Sequence, residues 1–163
     1  MEGEWLDSVG WAARNALNAT KIVPQDQVMV IADLDIVWLP GAFLEIERIA
    51  ESGTWAMREC REGLINTGII ATKNTPAFTW LLEQLLEEMN QTQKHDQDAL
   101  RAIAGGRIKL LPASFANTKT KGMSRKKDIL CYHAICSIAD NQETSIDKKK
   151  KLLDKFIGGI SIF

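Results

Sequence analysis

Apolar positions along the chain change period several times, and each change predicts an element. From about Glu4 to Thr20, Trp5, Leu6, Val9, Ala12, Ala13, Ala16 and Leu17 recur at helical spacing before Pro24-Gln25-Asp26 stops the run. Val28 to Ala32 is apolar at every position, which predicts a parallel strand covered on both faces. Pro40-Gly41 turns the chain into an amphipathic helix over Ala42 to Ser52, with Phe43, Leu44, Ile46 and Ile49 inward and Gly53 ending it. Thr54 to Arg58 reads as another strand, and Leu64 to Thr72 is β-branched and apolar around an Asn66-Thr67-Gly68 interruption. Thr75 then caps, and Pro76 opens, a long helix from about Ala77 to Asn90. Asp96 to Ala104 predicts a helix stopped by Gly105-Gly106, Ile108 to Leu111 a short strand, and Ile129 to Ala134 the last strand. In residues 144–163, Lys148 to Lys151 lie beside Leu152, Leu153, Phe156 and Ile157, a basic amphipathic tail. Strands alternating with helices predict an α/β/α sandwich with a mainly parallel sheet, one domain over residues 1–143.

The chain has 163 residues, 45% of them hydrophobic, which suits one core and leaves little room for a second. Twenty basic and 21 acidic side chains nearly cancel, so no long-range field draws the protein to nucleic acid. A local basic cluster, Lys119, Lys121, Arg125, Lys126 and Lys127, reads as a solvated loop. Cys60, Cys131 and Cys136 form neither a disulfide framework nor a paired zinc motif, which suits a reducing compartment. The start, Met1-Glu2-Gly3-Glu4, is acidic and unlike a signal peptide, and no apolar stretch approaches bilayer length. The expectation is a soluble, cytoplasmic protein.

Candidate chemistry gathers just after the strand-like runs, where ligands of α/β sheets bind. Asp33 and Asp35, spaced i, i+2 at the end of an apolar strand, point the same way and suit a hard divalent cation or, more simply, solvated loop positions. His133 lies in an apolar run, where burial demands a hydrogen bond or a metal. Two carboxylates and an imidazole match a manganese-type or magnesium-type site with positions left open for diphosphate oxygens. Asp96 suits a helix cap, a residue facing a bound sugar, or both at once, with Asn66 and Gln97 as neutral positioning partners.

Five segments in order resemble the nucleotide-diphospho-sugar transferase family, glycosyltransferases of the GT-A fold. They are Ile31-Ala32-Asp33-Leu34-Asp35-Ile36-Val37-Trp38-Leu39, Leu64 to Ile70, His95-Asp96-Gln97-Asp98-Ala99-Leu100, Leu110-Leu111-Pro112 with Phe115-Ala116-Asn117, and Cys131-Tyr132-His133-Ala134. Together they cover about residues 10 to 135. The resemblance implies a metal-dependent glycosyltransferase with a nucleoside-diphosphate donor, of uridine diphosphate type by family pattern, that retains anomeric configuration and can also hydrolyse the donor. It implies Mn2+, with Mg2+ as substitute, on Asp33, Asp35 and His133, and a diphosphate site around Asp33, Leu34, Asp35, Thr67 and Gly68. Arg14 stands where the family often has a basic residue. Asp96, Gln97 and Asn66 would line the cleft for the donor sugar and a saccharide acceptor.

The family has further strands ahead of its Asp-x-Asp strand, whereas 27 residues precede Val28 here, which predicts a truncated GT-A (Rossmann-like) domain. A homodimer or a partner chain would then cover the shortened sheet edge. The alternative reading is a module that binds a nucleotide sugar through a degenerate site without turnover.

Overall fold

The computed structural model describes residues 2–59, 64–117, 129–134 and 145–157, with side chains at 10–59, 64–115, 129–134 and 146–154. Five helices and seven strands run in the order α1 (Glu2–Ala19), β1 (Val28–Ala32), β2 (Ile36–Trp38), α2 (Ala42–Ala50), β3 (Thr54–Arg58), β4 (Ile65–Lys73), α3 (Pro76–Thr92), α4 (Asp96–Ala104), β5 (Ile108–Leu110), β6 (Phe115–Asn117), β7 (Cys131–His133) and α5 (Ser145–Ile157) among the described residues. The chain is therefore α/β, as its alternating periods predict. The basic cluster of residues 119–127, Cys60, Cys136 and the apolar end of the tail lie outside the described residues.

The sheet differs from the expected mainly parallel one. Its four strands lie in the order β1-β4-β3-β5, antiparallel at β1/β4 and β4/β3 and parallel only at β3/β5. The reason is chain length: residues 59–64 alone join β3 to β4, and a parallel crossover needs about a dozen residues or more. A second sheet, β2-β7-β6, is antiparallel at β2/β7 and parallel at β6/β7.

β1 is not the parallel strand expected: among the described residues it is an edge strand, antiparallel to β4, and within it only Met29 is fully buried. Its apolar side chains divide between two cores. Met29 and Ile31 join Ala13, Ala16, Ile70, Phe78, Leu82 and Leu100 beneath α1, α3 and α4. Val28 and Val30 join Ile46, Ile49, Met57, Ile69, Phe115 and Cys131 beneath α2 and the small sheet. Period-two alternation along β1 thus serves both faces at once.

Helix faces also need correction. In α2 the buried residues are Ala42, Ile46, Ile49 and Ala50, while Phe43 and Leu44 are exposed. The stripe i, i+4, i+7, i+8 is the narrower of two that the sequence permits, and Phe43 instead stacks on Trp38 with ring centroids 4.9 Å apart. Among the described side chains of α1 the buried positions are Gly10, Ala13 and Ala16, and Ala12 faces solvent. α3 follows the reading closely: the Thr75 hydroxyl accepts from the Phe78 N–H at 3.2 Å and Pro76 takes the first helical position. Buried Asn74 donates to the carbonyls of Thr20 and Val23, at 2.9 and 2.6 Å, fixing the exit of α1 against the end of β4.

Candidate functional site

β1 ends at Ala32, and Asp33, Leu34 and Asp35 turn the chain into β2. Two backbone contacts fix that turn. The Asp33 N–H donates to the Gly68 carbonyl at 2.9 Å, and the Ala134 N–H donates to the Asp35 carbonyl at 3.3 Å. Antiparallel pairing of β2 with β7 sets Ile36 opposite His133, which delivers the imidazole to the acidic turn.

Nε2 of His133 lies 3.2 Å from Asp33 Oδ2 and 3.2 Å from Asp35 Oδ1. One ligand atom from each of the three residues lies within 4.8 Å of the others, a group able to hold a metal ion. Two adjacent ligands of an octahedral ion bound at about 2.1 Å stand about 3 Å apart, so these separations suit such an ion. The donor set fits as well, since oxygen and imidazole ligands suit manganese or magnesium. Ligation would fall to Nε2, because that edge faces the carboxylates. Nδ1 is buried and has no hydrogen-bond partner among the described residues, whereas a ligating imidazole ordinarily donates from its other nitrogen.

The electrostatics are those of a compact ion cluster. Burial pulls the His133 pKa down, but hydrogen bonds and charges from Asp33 and Asp35 outweigh it and hold the imidazole above its ordinary value. Burial pushes Asp35 up, and His133 together with Lys149 outweighs that, leaving the carboxyl well below the usual carboxylate range. Nζ of Lys149, on α5, stands 2.6 Å from Asp35 Oδ2. The contact is an ion pair that ties α5 to the acidic turn.

The β4 side of the site is shaped by a register shift. Ala56 pairs with Ile70 and Met57 with Asn66, so residues 67–69 are looped out of the β3 ladder. Gly68 lies directly under the His133 ring; a Cβ there would come within 2.3 Å of Cε1 and 2.4 Å of Nδ1. Its place in the chemistry is thus to leave room for the imidazole. Thr67 hydrogen-bonds the Asp96 side chain, and Asp96 Oδ1 also accepts from the Gln97 N–H at 2.8 Å. Burial is the main cause that raises the Asp96 pKa, and the charge of Asp33 adds to it.

Asp96 is the first residue of α4, and the cap position belongs to His95, whose side chain makes no capping bond. The simple cap reading of Asp96 therefore fails. Asn66 and Gln97 meet each other: Asn66 Nδ2 donates to Gln97 Oε1 at 2.9 Å, and Asn66 Oδ1 accepts from the Gly68 N–H at 2.9 Å. Gln97 Nε2 in turn donates to Glu59 Oε2 at 3.0 Å, and Glu59 pairs with Arg101. Leu34 is fully exposed between the two carboxylates. Arg14 is exposed on α1 with its guanidinium folded over Gly10 of the same helix.

Three participants were not legible beforehand. Glu59 and Arg101 are separated by 42 positions and join only through the fold. Lys149 sits in a run of four lysines that gives no sign of which one turns inward. Among the described residues no helix is long and apolar enough to cross a membrane. No protein-family model matches the chain, and neither a curated protein nor a solved structure matches it.

Proposed function

We propose that this chain is a small metal-dependent glycosyltransferase domain that takes a nucleoside-diphosphate sugar, with Asp33, Asp35 and His133 holding Mn2+, or Mg2+ in its place. The observation that carries the reading is the meeting of these three side chains, from the β1–β2 turn and β7, with their ligand atoms within 4.8 Å. A divalent cation there would supply positive charge to a departing diphosphate.

The chain's own residues then divide the remaining work. Asp96 offers acceptor oxygens beside Asp33 and takes the sugar hydroxyls. Asn66 and Gln97, bonded to each other and tied through Glu59 to Arg101, position the start of α4 and hold Asp96 in place. Thr67 orients the Asp96 carboxyl through its own hydrogen bond. The donor of this reading is a uridine diphosphate sugar and the acceptor a saccharide, with the fold read as GT-A-like. β1 is an edge of the four-stranded sheet among the described residues, which favours a second copy or a partner chain against that edge.

The second reading, a nucleotide-sugar-binding module without turnover, is favoured by the Lys149–Asp35 ion pair, because it leaves Asp35 already compensated. One experiment separates the readings. Calorimetry with manganese and uridine diphosphate, followed by assay of free uridine diphosphate from a panel of nucleotide sugars, should give metal-dependent binding and donor cleavage. Binding without cleavage selects the module, and no metal-dependent binding removes both.

A further inference from the structure

We propose that Lys149 is a tethered cation that closes the Asp33–Asp35–His133 centre, so that a divalent ion must displace it from Asp35 before the centre loads. The inference rests on the metal-site reading above and adds its regulation: α5 carries an autoinhibitory contact.

Asp35 has two carboxylate oxygens, and both are engaged. Oδ1 faces His133 at 3.2 Å and Oδ2 faces Lys149 Nζ at 2.6 Å. Asp33, by contrast, has an exposed side chain. The acidic pair is thus unequal, with the more buried carboxylate the one that the lysine occupies. An ammonium neutralises one carboxylate, whereas a divalent ion engages Asp33, Asp35 and His133 together, so the ion has the larger gain once its concentration suffices.

The lysine also has somewhere to go. α5 and the β1–β2 turn border a cavity of about 750 Å³, with Asp33, Leu34 and Asp35 on one wall and Ile146, Lys149, Lys150 and Leu153 on the other. Leu34 and Ile146 remain exposed across that space, so no apolar seal holds α5 against the turn at these positions. A rotation of the Lys149 side chain into the cavity frees Oδ2 without unfolding the helix. If the closed pair holds nine-tenths of the molecules, the apparent affinity for the ion falls about tenfold.

The test is calorimetric titration of the full chain with manganese alone. Lys149→Ala should bind about tenfold more tightly than the unaltered chain, and alanine suits a helix position. Lys149→Arg keeps the charge and should stay weak. Lys150→Ala removes the same charge from the same cavity wall and should remain within about twofold, which separates occupation of Asp35 from a general loss of positive charge. Equal or weaker binding by Lys149→Ala overturns the inference, as does an equal gain from Lys150→Ala. If the unaltered chain and Lys149→Ala bind alike, the metal centre stands and the closing contact alone falls; if neither binds manganese, both fall.

Discussion

Gly68 and His133 are in such close contact that the imidazole occupies the space a β-carbon at position 68 would need. The separations of 2.3 and 2.4 Å to ring atoms leave no accommodation short of moving the ring or the strand. Gly68→Ala should therefore cost about 1–3 kcal/mol, the usual range for overpacking. His133→Ala should recover most of that loss in the double variant, because the two closest colliding atoms are gone and only Asn66 Oδ1, 2.8 Å from the added carbon, still has to shift. Urea denaturation of the two single variants and the double one measures the coupling. Additive losses would mean that Gly68 serves the backbone alone.

The ion cluster predicts a pH dependence with a definite sign. The folded His133 pKa lies above the ordinary 6.5, so its contribution is fully present below that value and is lost as pH rises through the folded pKa. The folded Asp35 pKa lies below the ordinary 3.8, so its contribution is present above that value and is lost as pH falls through the folded pKa. The cluster thus helps the metal-free protein most between those two ordinary values. Manganese should reverse the upper limb, since a ligating imidazole must be neutral and binding releases its proton. Melting temperatures from pH 5 to about 9, with and without manganese, should diverge as pH rises, and His133→Gln should remove the divergence.

The legible part of the site was its local chemistry. Asp33 and Asp35 stand out because two carboxylates interrupt an apolar run, and His133 because an imidazole sits where burial demands a partner. Strand direction does carry a signal in the sequence at one place, since the six residues between β3 and β4 are too few for a crossover. The inward face of α2 was ambiguous because Phe43, Leu44, Ile46 and Ile49 support two overlapping stripes, and only the tertiary fold selects between them. Glu59–Arg101 and Lys149–Asp35 were out of reach for a different reason: long-range ion pairs have no local period.

Asn66 is buried and uses both ends of its amide, accepting from Gly68 and donating to Gln97. Asn66→Ala should destabilise the fold by about 1–3 kcal/mol, because it leaves a buried N–H without its acceptor. Replacing Gln97 by Ala should cost less, since Gln97 is only partly buried and water can serve its neighbours. Denaturation midpoints rank the two, and an equal loss would place the weight of the network on Glu59 and Arg101.

Asp96 gives the prediction that bears most directly on activity. As the first residue of α4 its charge helps the helix N-terminus, an effect of about 0.3–1 kcal/mol that Asp96→Asn would forfeit. Asparagine keeps one carbonyl oxygen, which can go on accepting from the Gln97 N–H, so the fold should hold. If Asp96 takes the sugar hydroxyls, the folded Asp96→Asn protein should still bind manganese and uridine diphosphate but lose more than about tenfold in turnover, at least about 1.4 kcal/mol of transition-state stabilisation. The raised pKa adds a second readout, because activity that needs the carboxylate should fall as pH drops through a value above the ordinary 3.8. Steady-state kinetics across pH decide the matter. Turnover by Asp96→Asn equal to that of the unaltered chain would leave Asp96 with a helix-terminal role alone.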